Sequence, residues 1–253
     1  MTRPSSPLPP RPAPAVINPV TGDRVNAALA LMLALLLLGG FVLSALHLSA
    51  GPLAWSLLRA TGIVAYLALA ATVSFGALLG SRYAPAWLAR AQQYGWHGLL
   101  SGFALLLGGV HGLFLTVDGR YVQPLSALLV PGASSFAPIT VGLGTLGLYG
   151  LALVYLSTLW RRHLSVRVWR AVHLAAYPAF VLLTLHGLLL GSDHLGLLYG
   201  AAVASVVLTF GLRFLEETGK QGGRKNSAQT ASQRSVNQLA ANLPSADRTP
   251  GRR

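Results

Sequence analysis

The sequence predicts an all-α membrane protein, a six-helix transmembrane bundle with a cofactor held between helices 3 and 5. Three observations carry that expectation. First, 53% of the 253 residues are hydrophobic and only 10% are charged, a balance ordinary soluble domains do not keep. Second, six apolar stretches each approach the roughly 20 residues that cross a bilayer as helix. Third, two of those stretches carry paired histidines at nearly matched spacings.

Residues 1–25 are rich in Pro, Ser and Arg and bury too little apolar surface to fold, so they read as a disordered tail. The apolar run after them is long enough to span and is followed by no A-x-A site, so no signal cleavage is expected. The predicted spans are 27–46, 54–79, 96–117, 140–159, 171–190 and 195–214, forming one membrane domain over residues 26–215. Beyond it the chain turns polar and poor in aromatics, and residues 216–253 are expected to be a second disordered, basic tail.

Orientation follows from the positive-inside rule. Arg3, Arg11 and Arg24 precede span one, and Arg82 and Arg90 lie between spans two and three. Arg161, Arg162 and Arg167 lie between spans four and five, and Lys220, Arg224 and Lys225 follow span six. All fall on one side, which is therefore expected to be cytoplasmic, with both termini on it. The predicted location is the bacterial plasma (inner) membrane.

The net charge of +13 sits in loops and tails rather than on a folded basic face, so lipid headgroups are the expected partner and nucleic acid is not. The absence of cysteine excludes disulfides, iron–sulfur clusters and thiolate sites. All six acidic residues lie outside the spans or at their ends, which disfavours proton pumps and cation transporters with carboxylates at membrane depth.

Four of the seven histidines lie in spans three and five: His97 and His111, then His173 and His186. Ionisable residues inside a bilayer usually mark function. The fourteen residues from His97 to His111 correspond to about 21 Å of helix and return the side chain to within about 40° of the same face. Thirteen residues separate His173 from His186, about 20 Å, so the two helices offer ligands at matching heights. Both spans run the same way, so His97 pairs with His173 near the cytoplasm and His111 with His186 near the outside. An axial imidazole pair closes an iron porphyrin to external ligands and suits electron transfer. Ideal geometry leaves one mismatch: thirteen steps place His186 about 140° around the helix from His173. Pro178 lies between them and is a candidate kink.

Other readings stay open on these residues. A lone intramembrane histidine often bonds a neighbouring helix, and paired histidines also suit a non-redox metal site, whose pairs would stand within about 4 Å of each other. Gly98, Gly102, Gly108, Gly109 and Gly112 make a flat face on span three that admits either a macrocycle or close helix packing.

The R-A-T-G opening of span two (Arg59–Gly62), the H-x13-H of span three and the W-x3-H-x12-H of span five (Trp169, His173, His186) resemble the ferric-reductase-like transmembrane domain. That domain is shared by ferric reductases, NADPH oxidases and the heme-binding membrane subunit of the periplasmic methionine sulfoxide reductase system. The resemblance covers residues 27–214. It implies two b-type hemes bound by His97, His111, His173 and His186, and electron transfer from a cytoplasmic or membrane donor to an extracytoplasmic acceptor. The sulfoxide-reductase subunits look like a reduced version lacking the histidine equivalent to His97, which is present here. No flavin or nicotinamide site is read in this chain, so a reductase or quinol is the expected donor.

In this reading Arg59 is a candidate partner for a propionate of the outer heme, with snorkelling to headgroups as its ordinary alternative. Arg90 and Arg170 are candidates for the same role at the inner heme. His47, His163 and His194 are expected to be ordinary surface residues. The functional alternatives are a heme-binding subunit feeding a periplasmic oxidoreductase and a non-redox histidine metal-binding membrane protein.

Overall fold

The computed structural model describes residues 19–47, 52–84, 89–191 and 195–242. Among them every regular element is helical: α1 (Pro19–Ala45), α2 (Leu53–Leu78), α3 (Arg90–Phe114), the short α4 (Leu125–Leu129), α5 (Pro138–Leu159), a 3₁₀ turn at Arg161–His163, α6 (Val166–His173), α7 (Ala176–Leu190) and α8 (Gly196–Asn242).

Five stretches are long and apolar enough to cross a membrane: Leu53–Leu78, Gln92–Phe114, Pro138–Leu159, Val166–Leu190 and Gly196–Gly222. They match predicted spans two to six. The predicted first span, 27–46, coincides with α1 (Pro19–Ala45), of which the described apolar part is Ala30–Ala45. The large side chains on the outside of the bundle are apolar, including Leu31, Leu35, Leu36 and Leu38 on α1 and Leu197, Val207 and Leu208 on α8. Such a surface has lipid, not water, as its matching solvent.

The core sits on α2. Tyr66, Leu69 and Val73 are buried against Ala104 of α3, Leu151 of α5, Phe180 of α7, and Ala202 and Val206 of α8. Tyr66 stacks on Phe180 with ring centres 5.7 Å apart, and its hydroxyl shares a 3.0 Å hydrogen bond with Thr184. Ser74 and Ser205 share another at 2.6 Å, between α2 and α8. Hydroxyl pairs of this kind satisfy polar groups that lipid cannot. α3 lies mainly along α2, and α7 lies mainly along α5. The α5–α7 approach is close because Gly147 faces Leu183 and Gly150 faces Ala179, where a Cβ would stand 2.6 Å and 3.1 Å from the neighbour.

Span five is two helices, and Pro178 accounts for the break. Proline has no N–H, so the Leu174 carbonyl loses its donor four residues on. It accepts instead from Tyr177 N at 3.1 Å, and Ala175 N donates to Val172 O at 3.0 Å. These i to i+3 closures are 3₁₀ in type. Ordinary α-helical bonding resumes with Ala179 N to Ala175 O at 3.0 Å. Each tightened step turns about 20° further than an α-helical one, which moves His186 in the direction that closes the 140° mismatch.

Predicted spans three and four leave residues 118–139 between them, and the stretch from Leu115 to Ala137 is a folded cap. Buried Asp118 accepts from the backbone of Arg120 and Tyr121 at 3.2 Å and 2.8 Å, and buried Gln123 bonds Ser134 and Ser135. Gly132 turns the chain at φ +88°, a conformation that L side chains rarely adopt. Trp55, Tyr121 and Phe136 pack in series beside it.

Residues 216–242 also depart from the expected disordered tail, since α8 continues unbroken to Asn242. Elongating an existing helix avoids the costly nucleation step, and Arg213–Glu217 and Lys220–Glu216 pairs at 3.0 Å and 2.6 Å span successive turns. Glu216 further accepts from Arg82 N at 3.1 Å, while Arg213 donates to Leu79 O at 3.2 Å. These bonds tie α8 to the end of α2. Residues 1–18 and 243–253 of the two predicted tails lie outside the described residues.

Candidate functional site

The four intramembrane histidines meet in the predicted pairs. The rings of His97 on α3 and His173 on α6 have centres 6.1 Å apart. Those of His111 on α3 and His186 on α7 are also 6.1 Å apart. α3 and the broken α6–α7 span, which do not pack closely against one another, thus present opposed imidazoles at two levels.

The separation can be set against simple ligand geometries. A metal–nitrogen distance of about 2 Å and about 1.1 Å from nitrogen to ring centre, doubled in line, put the ring centres about 6.2 Å apart. A tetrahedral angle at the metal would draw them to about 5 Å. The observed value fits two ligands on opposite sides of one ion. Among the described residues no group of three or more His, Cys, Asp or Glu gathers at one point.

Hydrogen bonding selects the nitrogen that faces the partner ring. His111 Nδ1 donates to Leu58 O at 2.7 Å, His186 Nδ1 to Thr140 O at 2.7 Å, and His97 Nδ1 to Thr72 O at 3.2 Å. A carbonyl only accepts, so each of these rings carries its proton on Nδ1 and keeps the Nε2 lone pair for a ligand. The partners are backbone oxygens of α2 and α5, and no side-chain pattern in the sequence reports them. His173 is the exception: its Nδ1 is buried without a hydrogen-bond partner. Trp169, one turn earlier, lies against it with ring centres 5.0 Å apart at 31°.

Arg59 follows Leu58, whose carbonyl holds His111, and its guanidinium lies 5.3 Å from the centre of the Trp55 ring. The structure therefore places it at the level of the His111–His186 pair. Arg170 is exposed on α6, and Arg90 is the first residue of α3. His47 and His163 are exposed, as expected, and His194 lies outside the described residues. The glycine face of α3 divides into two kinds of position. Gly102 and Gly108 face Tyr155 and Leu148 of α5, whereas a Cβ at Gly98, Gly109 or Gly112 would meet open space.

These features define a helical protein with membrane-spanning segments and two opposed-imidazole sites. Compared with protein-family models, curated proteins and solved structures, the chain matches none.

Proposed function

We propose that this chain is a transmembrane electron-transfer protein of the ferric-reductase-like kind, with one b-type heme between His97 and His173 and a second between His111 and His186. The observation that carries the reading is the 6.1 Å ring separation repeated at two levels. A heme with two imidazole ligands supplies one-electron chemistry at an iron with no open position. The residues of the chain fix the ligands. The carbonyls of Thr72, Leu58 and Thr140 hold His97, His111 and His186 in the Nδ1–H tautomer, which also raises the basicity of Nε2. Trp169 packs against His173, and Arg59, whose guanidinium lies over Trp55, would neutralise a propionate at the outer site.

In this reading α1 completes a sixth span and the arginine-rich end is cytoplasmic, in a bacterial plasma membrane. A reductase or quinol supplies electrons at the His97–His173 level, and an extracytoplasmic acceptor takes them at the His111–His186 level. The rival metal-binding reading in its tetrahedral form expects a shorter ring separation, so the observed distance suits opposed ligands, as a heme takes, better than a tetrahedral ion.

The test is a reduced-minus-oxidised spectrum with a pyridine hemochrome assay on protein purified after expression with ample heme. About two low-spin b-type hemes per chain are expected from two bis-imidazole sites. A heme-free protein overturns the proposal.

A further inference from the structure

One local arrangement occurs three times. His111 bonds the carbonyl of Leu58, and Gly62 stands four residues later; a Cβ there would lie 2.7 Å from His111 Nδ1. His97 bonds the carbonyl of Thr72, and Gly76 follows at the same offset, with a Cβ 2.8 Å from His97 Cε1. His186 bonds the carbonyl of Thr140, and Gly144 again follows at four, with a Cβ 2.7 Å from His186 Nδ1. The physical reason lies in helix geometry. Each Cα–Cβ bond tilts towards the helix N-terminus, so the side chain of residue i+4 overhangs the carbonyl of residue i. Glycine removes the overhang and opens that carbonyl to a second, lateral donor.

The fourth histidine supplies an internal contrast. On α2 the two notches are fourteen residues apart, the spacing of His97 and His111 on α3. Fourteen residues beyond Thr140 and Gly144 on α5 stand Val154 and Thr158. The Val154 carbonyl is already taken by the hydroxyls of Ser157 and Thr158 at 2.8 Å and 3.1 Å. No glycine notch exists there, and His173 Nδ1 has no partner.

We infer that Gly62, Gly76 and Gly144 are positioning residues for the metal ligands: each forms the floor of a notch that lets one imidazole reach a helix carbonyl and aim Nε2 at the opposite ring. The inference rests on the heme reading and adds to it which residues set the ligands. An added methyl would displace the end of a flexible side chain rather than backbone. The helices therefore tolerate alanine while the ring swings out of place and loses its carbonyl.

The experiment compares Gly62→Ala, Gly76→Ala and Gly144→Ala with Gly109→Ala, whose Cβ meets open space. Full-length proteins are purified and measured for thermal stability in detergent, heme affinity and midpoint potentials. Gly62→Ala and Gly144→Ala should both weaken retention of the same heme by about 10–100-fold, and Gly76→Ala should weaken the other, each with a raised potential at the affected site. Stability should match that of Gly109→Ala. Unchanged affinity and potentials in all three variants, or equal losses at both sites, would overturn the inference. A wild-type protein without heme would sink the functional reading alone. The positioning role would then be decided by ¹⁵N-histidine spectra, in which three neutral Nδ1–H imidazoles are expected and Gly62→Ala should abolish one. Four identical imidazoles, or no change in the variant, would overturn it.

Discussion

Double substitutions of the histidines test the pairing more sharply than single ones. Each ring has one opposed partner at 6.1 Å, whereas the two levels stand about 20 Å apart along α3, a distance no side-chain rotation spans. A ring at one level therefore has no substitute at the other. Single alanine variants of His97, His111, His173 or His186 should each fall from about two hemes per chain to about one, since an iron with one remaining imidazole is held far more weakly. Removing both members of a pair should cost nothing further, so His111→Ala with His186→Ala keeps about one heme. Removing one member of each pair should cost both, so His97→Ala with His186→Ala keeps about none. This non-additivity is the signature of groups acting as a unit. The assay is pyridine hemochrome content per purified chain, with a reduced-minus-oxidised spectrum to identify the surviving heme. Retention of one heme in the cross-pair double variant, or loss of both in the within-pair double variant, would refute the pairing.

Three further outcomes are expected. Because His173 has no carbonyl partner while both outer ligands do, apomyoglobin should strip the His97–His173 heme roughly tenfold faster than the other, and release in the opposite order would contradict that asymmetry. Reporter fusions at Gly119 and Gly191 should read as extracytoplasmic and a fusion at Arg162 as cytoplasmic, following the arginine distribution; inverted signals would reverse the electron path. Tyr66→Phe removes the buried hydrogen bond to Thr184 and should lower stability by about 1 kcal/mol in detergent unfolding with heme content unchanged, whereas loss of heme would make Tyr66 part of the site.

How much of this was legible in the sequence depends on the range of the interaction. Five helices of spanning length are readable because lipid imposes a continuous apolar run on each. The two levels of paired histidines are readable because helical rise is nearly constant, so residue spacing converts directly into depth. Composition does not report the helical course of residues 216–242: polarity alone reads as disorder, whereas propagation of an existing helix needs little further stabilisation.

Spacing and composition by themselves determined the helical class and which histidines face each other. Only the tertiary structure decided how span five breaks before Pro178 so that His173 and His186 both face α3. It alone revealed the cap between Leu115 and Ala137, held by side chains meeting backbone groups outside any repeating pattern. It alone showed that Gly62, Gly76 and Gly144 open three carbonyls to three imidazoles while Thr158 leaves the fourth ring without one. The physical reason is that a glycine reads alike in sequence whether it packs, turns or makes room, and its role is set by the side chain that another helix brings against it.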